Sequence, residues 1–175
     1  SGSGKSSVVM AGLIPRIQSG RWITATMMPG RDPFQALATA LDEAPSNREL
    51  QPEIWRGDEL DLVRAVQALV PDDGPRLLLV IDQFEELLHQ VSEETVRARF
   101  IRNLVEAVED PIVPLTVVIT LRADFFDKAL EHSPLGELIG TQLVSVLPLQ
   151  AHELEAAAAL PAQRARVHME PELIA

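Results

Sequence analysis

Two stretches of this chain depart from the helical spacing of apolar and polar residues that dominates elsewhere. Leu77-Leu78-Leu79-Val80-Ile81 is an unbroken apolar run of strand length, and Leu115 to Leu121 is a second strand-like stretch. A run without alternation predicts a strand buried on both faces, as in a parallel sheet covered by helices. Trp22 to Met28 is rich in strand-forming residues and is closed by Pro29-Gly30, and Leu143 to Leu147 predicts a last strand.

Between these runs the spacing is helical. Ser6 to Ser19 predicts a first helix, with a break or kink near Gly12 to Ile14 because Pro15 sits inside it, and with Gly20 as its stop. Asp32-Pro33 starts a second, carrying a stripe of Phe34, Leu37 and Leu41. Asp58 to Val70 follows, with Leu62, Val63, Val66 and Leu69 on one face. Phe84, Leu87, Leu88 and Val91 mark a short helix, and Val96, Phe100, Leu104 and Val108 a longer one ended by Pro111 and Pro114. A short helix within Arg122 to Glu131 and an Ala-rich one from Gln150 to Leu160 complete the series. Ala44 to Pro52 reads as a polar loop and Pro71 to Pro75 as the strongest breaker. Strands alternating with helices predict a parallel α/β layered domain.

Composition narrows the picture. With 175 residues and 46% hydrophobic content, the chain can bury one sizeable core. A formal charge of −11 argues against a nucleic-acid or anionic-membrane partner, which would call for clustered Lys and Arg. There is no cysteine, no signal peptide and no run long enough to cross a bilayer, so a cytoplasmic setting is expected. His89, His132, His152 and His168 lack metal-ligand spacing, and Trp22 and Trp55 read as core or interface residues. Lys5 and Lys128 are the lysines of an otherwise Arg-based chain, which makes Lys5 conspicuous.

Lys5 lies in Ser1-Gly2-Ser3-Gly4-Lys5-Ser6-Ser7, whose Gly4-Lys5-Ser6 is the end of a G-x-x-x-x-G-K-[ST] phosphate loop. Gly2 and Gly4 let the backbone curl so that N–H groups meet phosphate oxygens; Ser3 and Ser7 belong to the same cradle. Lys5 supplies a mobile charge for the terminal phosphates, and Ser6 a hydroxyl for Mg²⁺. The first loop glycine would precede Ser1, so the chain reads as a piece of a longer protein, expected to be inactive alone. The other half of such a site is a carboxylate at the exit of a buried strand, and Asp82 supplies it, sharing the Mg²⁺ with Ser6. Asp82 could instead simply cap the helix that begins at Phe84.

Glu85 and Glu86 are candidates for orienting the attacking water. Helical geometry puts Glu85 on the flank of the buried stripe and Glu86 nearly opposite the core, which favours Glu85; two solvated acids at a helix start is the plainer reading. Gln83 occupies the place where many vigorous ATPases carry a glutamate, so hydrolysis is expected to be slow. Arg122, just beyond the Leu115–Leu121 strand, should reach the carboxyl edge and contact the terminal phosphate, or else pair locally with Asp124 or Asp127. Thr120 reads as strand packing, with hydrogen bonding as a second role.

Together these strings resemble the STAND class of signalling P-loop NTPases, most closely its novel STAND type. The resemblance is carried by Gly2-Ser3-Gly4-Lys5-Ser6-Ser7, by Ala11-Gly12-Leu13-Ile14-Pro15, and by Trp22, Pro29-Gly30 and Pro33. Further along it is carried by Leu78-Leu79-Val80-Ile81-Asp82-Gln83-Phe84-Glu85-Glu86-Leu87 and by Thr120-Leu121-Arg122-Ala123-Asp124-Phe125. Leu147-Pro148-Leu149, Glu153-Leu154 and Pro161-Ala162 resemble the start of a helical lid. The resemblance implies a three-layer P-loop NTPase with a parallel sheet, truncated before its first strand and within its lid: residues 1–147 as the nucleotide-binding core and 148–175 as the lid's beginning. That absent strand would lie between the last strand and the one leading to Arg122.

The implied activity is an ATP-dependent switch with Mg²⁺ as cofactor, fused to a sensor such as WD or tetratricopeptide repeats and to an effector, and oligomerising with ATP. The rivals are a remodelling or motor ATPase that turns over steadily without a trigger, and a scaffold that keeps the fold without hydrolysis. A small-molecule kinase is disfavoured for want of a second phosphate-clamping Arg cluster. The switch reading requires Lys5, Asp82 and Arg122 to surround one anion pocket.

Overall fold

A computed structural model describes residues 4–17, 21–45, 60–70 and 74–167. They divide between two compact units: Ser6–Leu143, and Ser1–Lys5 with Val144–Ala175. The sheet lies in the first unit. Its strands β1 (Trp22–Met27), β2 (Arg76–Ile81) and β3 (Leu115–Ile119) are all parallel, in the order β1-β2-β3. β2 is central because its apolar run can be buried on both sides, and all residues from Leu77 to Ile81 are buried.

Register sorts the side chains into rows. Ile23, Leu77 and Leu115 stand abreast, as do Ala25, Leu79 and Val117, and Met27, Ile81 and Ile119. These three rows form one face and join the main core. The alternation in β1 follows, with Ile23, Ala25 and Met27 buried and the intervening residues less so. Among the described residues β3 stands at one edge of the sheet, and it is only half-buried beyond Leu115.

Helices close the core face. α3 (Pro33–Asp42) begins as expected, with the Asp32 carboxylate accepting the Gln35 N–H at 3.0 Å and Pro33 in the first turn. Its Phe34, Leu37 and Leu41 are buried. α4 (Leu62–Leu69) starts later than the expected Asp58, which lies outside the described residues. Asp61 is its cap, accepting from Val63 and Arg64 at 3.0 and 3.3 Å. Asn103 of α6 (Glu94–Glu109) clamps that start, taking the Leu62 N–H at 2.9 Å and donating to the Leu60 carbonyl.

α6 corrects the predicted stripe: Phe100 and Leu104 are buried with Ile101, Val105 and Ala107, whereas Val108 is 38% exposed. Steps of four residues advance the face by about 40° each, so the 96-100-104-108 stripe has drifted by about 120° at Val108. Phe100 packs edge-to-face on Phe34, with centroids 5.4 Å apart.

The N-terminal helical segment absorbs Pro15 without stopping. An α turn (α1, Lys5–Ser7) passes into a π-helical stretch, Val8–Leu13, then α2 (Ile14–Ile17). The Ile14 N–H reaches the Val9 carbonyl five residues back, which widens the helix just before the proline. Gly20, the expected stop, lies outside the described residues, as do Trp55, His168 and most of the Ala44–Pro52 and Pro71–Pro75 stretches.

The second half departs from expectation at four places. β3 ends at Ile119, two residues short of Leu121. Leu143 to Leu147 forms no strand, and Leu143, Val144 and Leu147 are 57%, 83% and 76% exposed. A strand persists only where a neighbour pairs its backbone, and among the described residues none offers that pairing. Between a single 3₁₀ turn (Ala123–Phe125) with α7 (Phe126–Leu130) and this segment stands an unforeseen helix, α8 (Ser133–Thr141). In the second unit, α9 (Ala151–Arg164) continues past the expected Leu160, carrying Pro161 inside it. Its start is a capping box, with the Gln150 N–H donating to Glu153 at 2.7 Å. Among the described residues no helix is long and apolar enough to cross a membrane.

Candidate functional site

The site is built at the carboxyl ends of β2 and β3, where parallel sheets open a crevice. The ladder bonds continue one residue past each strand: the Asp82 N–H donates to the Met27 carbonyl at 2.8 Å and the Thr120 N–H to the Ile81 carbonyl at 3.0 Å. The chain then turns through Asp82-Gln83-Phe84 into α5 (Glu85–Gln90). Thr120 governs that turn. Its hydroxyl donates to Asp82 Oδ1 at 2.5 Å and accepts the Gln83 N–H at 3.0 Å, while its carbonyl accepts the Phe84 N–H at 2.9 Å. Gln83 adopts a left-handed φ of 54°, a conformation that a side chain disfavours and that these bonds hold in place.

Asp82 is 7% exposed. A carboxylate so buried needs donors, and a second hydroxyl comes from far away in sequence: Ser6 Oγ donates to the same Oδ1 at 2.7 Å. Ser6 and the strand-end carboxylate, 76 residues apart, are thus in direct contact. Asp82 is more than a helix cap, since Phe84 occupies the cap position of α5 and no side chain caps it. Just before, Gly4 takes a φ of 77°, which a residue bearing a Cβ would adopt only under strain. Lys5 and Ser7 flank Ser6 in α1; Gly2 and Ser3 lie outside the described residues.

Glu85 and Glu86 are both half-buried, and neither is a merely solvated acid. Glu85 accepts the Arg122 backbone N–H at 3.3 Å, which ties α5 to the exit of β3. Glu86 accepts the Gly30 N–H at 3.2 Å and ties the same helix to the exit of β1. Gln83 adds a contact from its amide to Met28 Sδ at 3.3 Å, with its side chain exposed. The two acids therefore face opposite neighbours, and Glu85 is the one beside Arg122.

The Arg122 side chain takes the local pairing: Nη2 lies 2.7 Å from Asp124 Oδ2. Hydrogen bonding to that guanidinium and its charge hold the Asp124 carboxyl below the usual range. Nε of Arg122 is buried and has no hydrogen-bond partner.

The donor set suits a hard cation with a nucleotide. Among the described residues no group of three or more His, Cys, Asp or Glu side chains is placed to hold a metal alone. Ser6 and Asp82 offer hydroxyl and carboxylate oxygens, the pair of ligand types that Mg²⁺ accepts when phosphates and water complete its shell. An orphaned guanidinium donor at the same strand edge fits a further anion.

Thr120, which the sequence places as strand packing with hydrogen bonding second, is the hydroxyl that joins Asp82 to the Gln83 turn. The usable signal was a threonine at the exit of a strand adjacent to the one ending in Asp82. No curated protein matches the chain. A family model described as Novel STAND NTPase 1 matches residues 1–175, and with Ser6 seated on the strand-end Asp82, the chain belongs to the novel STAND NTPases, a family of nucleotide-binding signalling domains.

Proposed function

We propose that this chain is the core of a cytoplasmic ATP-driven signalling switch with slow, Mg²⁺-dependent hydrolysis. The observation that carries the reading is the Ser6–Asp82 contact at 2.7 Å, because those are the two side chains a Mg²⁺–nucleotide site requires side by side. Gly2, Ser3, Gly4, Lys5, Ser6 and Ser7 would cradle the phosphates, Lys5 would neutralise the terminal ones, and Ser6 with Asp82 would hold Mg²⁺. The bound ion would withdraw charge from the phosphates.

Glu85 would orient water and Arg122 would respond to the terminal phosphate; their contact through the Arg122 amide supports a shared role. With glutamine at position 83, turnover stays slow. Residues 1–147 would form the nucleotide core and 148–175 would begin a helical lid. Sensor and effector domains, and an ATP-dependent oligomer, are the partners the family implies. A switch of this kind works only if ATP and ADP bind its two states with different affinities.

The test is nucleotide titration of the intact protein. Lys5→Ala should abolish ATP binding and Asp82→Asn should abolish its Mg²⁺ dependence; unchanged affinity in both would refute the site. Glu85→Gln should trap bound ATP, and trapping by Glu86→Gln alone would reassign the acid. Fast, untriggered steady-state turnover would favour a motor instead.

A further inference from the structure

The pairing of Arg122 with Asp124 is half of a fork. Nε and Nη2 point along one edge of a guanidinium and together grip two oxygens of a carboxylate or phosphate in parallel. Here Nη2 is taken by Asp124 Oδ2 at 2.7 Å while Nε, buried, has no acceptor. The pose is therefore poorly satisfied, and an anion with two adjacent oxygens offers that edge more than Asp124 supplies. Asp124 itself is well exposed, with 65% of its side chain open to solvent, so the pair is screened and readily exchanged. The Arg122 backbone is fixed independently by Glu85, which leaves the side chain as the part free to change partners.

We propose that Asp124 is a stand-in anion for Arg122, occupying its guanidinium until a terminal phosphate displaces it, and so sets the discrimination between nucleoside triphosphate and diphosphate. The inference rests on the nucleotide-site reading above. It assigns Asp124 a positioning role: it acts through Arg122 and touches no reacting atom. Removing its charge frees Arg122 in advance, which favours the nucleotide that carries the extra phosphate. An exposed ion pair sets the scale at about two- to fivefold in affinity.

The experiment compares ATP and ADP dissociation constants in the intact protein for wild type, Asp124→Asn, Asp124→Ser, Arg122→Ala and the double variant Arg122→Ala/Asp124→Asn. Both Asp124 variants should bind ATP about two- to fivefold more tightly with a smaller change for ADP, and the gain should vanish when Arg122 is absent. Equal changes for ATP and ADP, no change, or a gain that survives Arg122→Ala would overturn the proposal while leaving the nucleotide site standing. Failure of the wild-type protein to bind either nucleotide would overturn both.

Discussion

Thr120→Val replaces a hydroxyl by a methyl of nearly the same shape, and it probes the joint on which the site is built. The variant loses the donor to Asp82 Oδ1 and the acceptor of the Gln83 N–H. A hydrogen bond to a charged group is worth ~1.5–3 kcal/mol, and a donor left without its acceptor costs ~1–3 kcal/mol when buried. Gln83 is exposed, so water reaches its amide more easily and the second figure falls to its low end. Asp82, at 7% exposure, has little such relief and keeps Ser6 as its remaining hydroxyl donor. The sum is about 2–4 kcal/mol, or a fall in Tm on the order of 10 °C for a chain of this size. Urea unfolding with an unchanged slope measures it, and amide exchange at Gln83 should accelerate. Thr120→Ser keeps the hydroxyl and gives up one methyl, so about 1 kcal/mol is expected. A Thr120→Val stability within ~0.5 kcal/mol of wild type, or equal damage in the serine variant, would show that the hydroxyl does not hold this turn.

Three further outcomes are expected. Gly136→Ala should destabilise the protein even though alanine is the better helix former, because the added Cβ would lie 2.9 Å from the Leu130 carbonyl oxygen; a gain in Tm would show that α7 and α8 yield easily. Asp61→Ala should cost about 1 kcal/mol and expose the Val63 and Arg64 amides to exchange, with unaltered exchange there counting against the cap. Burial, and secondarily the Arg97 charge, push His132 below the ordinary histidine value of 6.5 against the pull of Glu131. Its neutral form is the one the fold prefers, so its contribution is intact above pH 6.5 and is lost as pH falls through and below that value. Stability measured from pH 7.5 to 5 should decline in wild type and flatten in His132→Asn, whereas parallel profiles would assign the decline to other groups.

What the sequence determined by itself is local in origin. An unbroken apolar run specifies a central strand wherever its neighbours come from, and a carboxylate directly after it must sit at the sheet's edge. Asp32-Pro33 starts its helix through bonds that span three residues. The string around Ser6 and the carboxylate at Asp82 are each written in adjacent residues, and what the fold adds is the 2.7 Å contact between them. The tertiary structure alone decided the rest. Only pairing across 38 residues turned Thr120 from strand packing into the anchor of the Asp82 turn, and only the exits of β1 and β3 separated Glu86 from Glu85. Leu143 to Leu147 has the composition of a strand and no neighbour to pair with among the described residues. Gly136 has a role visible only where a second helix passes within contact distance. Backbone and polar groups are satisfied by whatever atom lies next to them in space, and that atom can belong to any part of the chain.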